Sequence, residues 1–316
     1  LNDAHDAVKR MNGLGETDSF DWATSLRDAW MNEQLGKKFQ KVGKKLVENE
    51  EIELLDLYSD ISATLAKESN ETLLLRDIDY KNFTPMVESG WDIIDDIVGG
   101  IPKHGLILVL GETGLGKSFF LGKLTDRFLH KYEDKKGMIV TLEMPAEEYA
   151  QRTLHMYPSF KELGDRLYIN GALRTIDDIV LEATTHKVDY LGIDFVDWLV
   201  KENSESAYAY VYKRCVEMAR LLRIPVVLLA QANRDGVKWN KFLTKFDARY
   251  TGMAENSAWM MIGLQKTNAL DCDEPDKYPT FDEDREYILF LKLRGEWKKQ
   301  VGPGAIVLEP SNQKWG

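Results

Sequence analysis

Cysteine is nearly absent from this 316-residue chain, which holds only Cys215 and Cys272. Neither stands with ligand partners at metal spacing. That argues against a zinc site and a disulfide scaffold, and it suits a reducing, cytoplasmic setting. Long apolar runs are lacking too. No stretch approaches the roughly 18 residues of a membrane span, and the opening LNDAHDAVKR has no signal-peptide apolar region. Positive charge is in deficit, with a net charge of −11. Such a chain is a poor candidate for coating DNA with its whole surface, so any nucleic-acid site must be concentrated. Internal repeats and low-complexity tracts are missing as well.

What is present is ample core material, 44% hydrophobic residues, beside 29% charged ones. The length suits one large domain, or one domain with an appendage. Residues 1–20 carry turn formers and read as a flexible segment. Over 21–67, Trp22, Leu26, Trp30, Phe39, Val42 and Leu46, then Ile52, Leu55, Ile61 and Leu65, follow helical spacing. The lysines of GKKFQKVGKK give that helix a solvated face, or one for nucleic acid or a neighbouring subunit. Residues 68–90 have no sustained period and read as a linker. From 91 to 316 short apolar runs alternate with helical patterns: LILVL, MIVTL, YLGIDF, PVVLLA, MMIGL and YILFLKL. Runs apolar throughout suit strands buried on both faces. The expected class is α/β, with a central, mostly parallel twisted sheet flanked by helices.

GETGLGKS at 111–118 fits G-x-x-x-x-G-K-[ST] and lies between a strand and the helical stretch SFFLGKLTDRFLHKY. Such a loop turns backbone N–H groups toward phosphate oxygens, and the helix N-terminus adds partial positive charge. Gly111, Glu112, Thr113, Gly114, Leu115, Gly116, Lys117, Ser118 and Phe119 are the expected nucleotide contacts. Lys117 is expected on the β- and γ-phosphates, and Ser118 on Mg²⁺. Asp194, ending YLGIDF, is the expected acidic partner of that Mg²⁺, or else a helix cap. Asp197 should point elsewhere. Glu143, ending MIVTLE, would emerge at the same sheet edge and is the candidate catalytic carboxylate, or a cap of the next helix. Gln231, ending PVVLLAQ, could report the γ-phosphate to a moving loop, or be a plain buried amide.

The order of these features resembles the RecA-like motor of DnaB-type replicative DNA helicases, phage versions included. TLEMPAEEYAQRTL and the lead-in SGWDIIDDIVGGIPKHG carry the likeness, which covers roughly 89–309. More weakly, FDWATSLRDAW is similar to the start of the family's linker segment, which includes a helix docking on the next subunit. A complete N-terminal domain of the family is not expected here. The resemblance implies a homo-hexameric ring with ATP between subunits, acting in the cytoplasm, or the host's if the chain is phage-encoded. It implies single-stranded DNA as a partner, and the primase, helicase loader and other replisome proteins as further ones. LKLRGEW matches the family's K-x-R-x-G with Gly295 one residue early. The likeness therefore makes Arg294 the arginine given to the neighbour's γ-phosphate and Lys292 its helper, or else both are surface strand residues.

The same likeness puts the single-strand contacts in NRDGVKWNKFLTKFDARYTGMAEN at 233–256. Arg234, Lys238, Lys241, Lys245, Arg249 and Tyr250 are the candidates, with Thr251 and Gly252 in ARYTG, which resembles the family's R-x-S-G. Cations interleaved with aromatics suit sequence-independent tracking along a strand. The family's E-Q-D-A-D is ENSAW in this chain, with both aspartates gone. The expected function is an ATP-driven ring helicase. The alternatives are another RecA-like machine, a recombinase or a clock-type regulatory ATPase, or an assembly module glued by nucleotide.

Overall fold

In the computed structural model the chain divides into two units, Leu1–Tyr80 and Lys81–Gly316. The structure describes residues 84–232, 243–248, 251–267, 285–294 and 305–308, with 36–37, 40–41, 44–45, 47–48 and 75–77. In the first unit Gly36, Lys37, Gln40, Lys41, Lys44, Lys45 and Val47 are helical. The rest of the helical pattern expected over 21–67 lies outside the described residues. Among the described residues no helix is long and apolar enough to cross a membrane, and none group as a metal-binding His, Cys, Asp and Glu cluster.

The second unit opens with a small antiparallel pair, β1 (Met86–Val87) on β2 (Ile101–Pro102), around helix α1 (Asp92–Ile97). Then strands and helices alternate. They run β3 (Leu106–Gly111), α2 (Lys117–Lys131), β4 (Gly137–Thr141), α3 (Ala146–Met156), β5 (Leu167–Asn170), α4 (Ile176–His186) and β6 (Tyr190–Asp194). There follow α5 (Glu205–Leu222), β7 (Val226–Gln231), α6 (Thr251–Ser257), β8 (Met260–Thr267), β9 (Arg285–Leu293) and β10 (Ala305–Leu308). The pair β1–β2 begins inside the stretch read as a linker.

One sheet holds eight of these strands, in the order β10-β9-β8-β3-β7-β6-β4-β5. From β8 to β5 all neighbours are parallel, whereas β9 and β10 are added antiparallel. All six apolar runs become strands. β5 and β10 went unnoticed in the sequence. β5 is short, ends the sheet and is only half-buried along its length, so its residues carry no continuous apolar signal. β3 is central and buried at every position, which is why it reads as unbroken LILVL.

Leaving β3 for β4, the chain crosses over β7 and β6. Such a reversal opens a crevice beyond the carboxyl ends of parallel strands. α2 fills its base, packed on β3, β6 and β7. Its approach depends on Gly192 of β6. A Cβ there would stand 2.6 Å from Leu121 Cδ1 of α2, so any larger residue would have to push the Leu121 side chain aside.

Candidate active site

The site is built at the carboxyl edge of the parallel strands. Register puts Gly111 of β3 beside Gln231 of β7, and Thr141 of β4 beside Asp194 of β6. The Leu142 amide donates to the Asp194 carbonyl at 2.7 Å, clamping β4 to β6. Four strand ends therefore deliver a glycine loop, an amide and two carboxylates to one rim.

The loop after β3 turns through Gly114 and Gly116 at φ of +84° and +81°, a left-handed region that costs other residues energy. α2 then starts at Lys117 with no acidic side chain in its first turn. By contrast, α3 opens with Glu147 and Glu148, and α4 with Asp177 and Asp178. The N-terminus of α2 thus keeps its partial positive charge for an anion. Lys117 Nζ donates to the carbonyls of Gly111 at 2.9 Å and Glu112 at 2.7 Å, inside the loop. Burial pushes its pKa down, while the charges of Asp194, Glu143, Asp197 and Glu112 pull it back up.

Asp194 is 2% exposed. Burial raises its pKa to about 6, helped by the nearby Glu143 charge and opposed by the Ser118 hydroxyl hydrogen bond and by Lys117. One of its oxygens, Oδ2, is buried without a hydrogen-bond partner. A hydroxyl and a carboxylate with a spare buried oxygen are hard donors that fit Mg²⁺. Glu143 is exposed at the rim, with α3 capped by Pro145 rather than by it. Asp197 lies on a 3-10 turn, Val196–Trp198, and accepts from the Tyr208 hydroxyl at 2.5 Å, near enough to the rim for its charge to act on Lys117. Gln231 Nε2 donates to Thr113 Oγ1, linking β7 to the phosphate loop.

These groups line a cleft of about 290 Å³ that includes Thr113, Gly114, Gly116, Lys117, Ser118, Phe119, Glu143, Asp194 and Gln231. It also includes Tyr149, Arg152 and Thr153 of α3, which sequence reasoning passed over. Their spacing of three and four marks one helix face, the signal that could have found them. Tyr149 donates its hydroxyl to the Ser118 carbonyl at 3.2 Å, tying α3 to α2. Arg152 brings a guanidinium to the cleft, held by Glu148.

Lys292 and Arg294 are elsewhere. β9 runs antiparallel to β8, pairing Lys292 with Met261 and Leu293 with Met260, while Met260 pairs with Ile107 at the start of β3. They therefore sit toward the amino edge of the parallel strands, about 10 Å or more along the strands from Gly111, where the glycine loop begins. Lys292 Nζ donates to the Glu255 carbonyl and Arg294 Nη2 to the Asn256 carbonyl, at the end of α6. Of the strand-binding candidates, Lys245 lies in a turn over 244–247, and Thr251 and Gly252 open α6. Arg234, Lys238, Lys241, Arg249 and Tyr250 lie outside the described residues. Next to Lys245 the sequence reading missed Phe246, a residue 60% exposed whose ring centroid lies 4.9 Å from the Lys245 ammonium.

The model of the KaiC ATPase family matches residues 87–204. Among solved structures, a DnaB-like replicative helicase described with its primase interactions superposes at a TM-score of 0.61 and 16% identity. It covers 91% of this chain and 74% of that one. A solved ATPase domain gives 0.57 at 19% identity, covering 80% and 96%. A KaiC-like protein of Pyrococcus horikoshii gives 0.52 at 20%, covering 71% and 98%.

The fold is that of the RecA-like ATPases.

Sequence relatives agree with the likeness read from the motifs. The replicative DNA helicase DnaB of Rhodothermus marinus is 24% identical over 181 residues, 47% of this chain and 19% of that protein. A probable replicative DNA helicase of Trieres chinensis is 22% identical over 233 residues, 61% of this chain and 50% of its own. The matched part spans half or less of these curated relatives. The RecA-like core thus resembles that of DnaB-type helicases, and its cleft lies at the carboxyl edge of its parallel strands.

Proposed function

We propose that the chain is the motor of a ring-shaped DNA helicase, which hydrolyses ATP, moves along single-stranded DNA and parts the duplex. One observation carries this reading: the cleft and the Lys292–Arg294 pair occupy opposite edges of one sheet. A protomer cannot bring its own pair to its own nucleotide. A second copy, stacked head to tail, can. Head-to-tail contacts close into rings, and the named helicase relatives favour a ring of six.

In the cleft the loop amides and Lys117 bind the triphosphate, Lys117 exchanging its carbonyl acceptors for charged phosphate oxygens. Ser118 and Asp194 would hold Mg²⁺, which would neutralise charge on the triphosphate. Glu143 takes the proton of the attacking water. Arg152 and the neighbour's Arg294 stabilise charge on the transferred group. Gln231, bonded to Thr113, joins the loop to the segment after β7. Lys245 meets strand phosphates, Phe246 offers a base-stacking face, and Thr251 and Gly252 add contacts at the start of α6. The replisome partners, primase and loader among them, follow only from the relatives.

A second reading, a regulatory ATPase of the KaiC kind, is favoured by the family match over 87–204. Incubation with a forked duplex and ATP separates the two. The helicase reading expects strand separation that Lys117→Ala abolishes. An intact fork beside vigorous hydrolysis would favour the regulatory reading.

A further inference from the structure

The turn over 244–247 is firmly seated. Leu243 is buried and its amide donates to Gln265 Oε1 at 2.7 Å. Ala248 bridges to Ala232, the residue after Gln231. Asp247 closes the turn by accepting from the Thr244 amide at 2.6 Å and hydroxyl at 2.8 Å. At its tip Lys245 points back to Glu255 Oε1 at 2.6 Å, an ion pair whose side chains keep 39% and 23% of their exposure.

Glu255 has a second role. It is the only carboxylate of the seven-residue α6. Its carbonyl accepts from Lys292 and the next carbonyl, of Asn256, from Arg294. Carbonyls at a helix C-terminus have no partner within the helix and favour cations. The two cations are therefore seated on the helix end that Lys245 grips.

We infer that Glu255 is a positioning residue: its carboxylate competes with strand phosphates for Lys245, and through α6 this exchange resets the Lys292–Arg294 pair offered to the next copy. The inference rests on the proposed strand-driven function and names its coupling. A single pair that solvent still reaches can be exchanged for a phosphate, and the strand then draws Lys245 off Glu255. α6 has only two turns, so a shift at Lys245 moves both carbonyls that seat the cations.

The test uses the full chain, an oligo-dT strand, and hydrolysis measured with and without it. Glu255→Gln keeps the shape and removes the competitor. It should bind the strand about 3- to 5-fold tighter at low salt, and its strand stimulation should fall to a third of wild type or less. In a Lys245→Ala background the same change should leave strand affinity unmoved, which a merely structural Glu255 would not produce. Glu255→Asp, with the charge on a shorter arm, should fall between, and serves if Glu255→Gln unfolds. Undiminished stimulation in Glu255→Gln beside a stimulated wild type overturns the inference alone. So does an affinity gain that persists without Lys245. A wild-type chain that neither binds nor responds to the strand overturns the proposed function as well.

Discussion

Asp194 meets two opposing demands. The fold buries it, and burial favours its neutral form; the proposed metal role needs it charged. Its folded pKa of about 6 lies above the ordinary 3.8. The sign follows: its stabilising contribution is complete below the ordinary value and is lost as pH rises through about 6, a cost of up to about 3 kcal/mol. Asp194→Asn should therefore raise the melting temperature at neutral pH without metal, by about 2–4 °C per kcal/mol recovered, and lose hydrolysis. Mg²⁺ with nucleotide should stabilise the wild type more than the variant in the same melts. Equal melting of the two at neutral pH would mean that Asp194 is not held at such a cost. Lys117→Ala should remove turnover through lost phosphate binding, visible as lost nucleotide affinity by calorimetry.

At the scale of elements, the strand-end groups were legible because each follows a continuous apolar run: Gly111, Glu143, Asp194 and Gln231 all stand where a buried strand must stop. Arg152 was not, since a guanidinium on an amphipathic helix looks like a solvated residue until the helix is turned to the cleft. The seat of Lys292 and Arg294 on α6 was hidden because it joins residues 37 and 38 positions apart. Gly192 likewise looks idle within a strand, and only the packing of α2 gives it a reason. Gly192→Ala should cost about 1–3 kcal/mol by overpacking, read as a lower denaturation midpoint. An unchanged midpoint would show that α2 can yield. The opposite-edge geometry predicts complementation. Glu143→Gln and Arg294→Ala should each lower hydrolysis, the latter by about 10³-fold or more. Mixing the two should restore part of it, because some interfaces then join an intact Glu143 to an intact Arg294. No recovery on mixing would contradict delivery between copies. Phe246→Ala should weaken strand binding by about 1–3 kcal/mol if bases stack on it.

For the whole molecule, the sheet is the frame of the proposed motor: its carboxyl edge carries the cleft, its amino edge carries Lys292 and Arg294, and α6 leads between them. With a net charge of −11 the proposed DNA contacts would be confined to a local segment, so the salt slope should be shallow. The α/β class and strand sequence were readable from alternating apolar runs. The antiparallel additions β9 and β10 were not, since an apolar run carries no direction. The most direct test of the account is ATP hydrolysis at low salt with and without single-stranded DNA, with Lys117→Ala as the blank. The account predicts strong stimulation by the strand, lost in the blank. Hydrolysis of the same rate with or without the strand would contradict it.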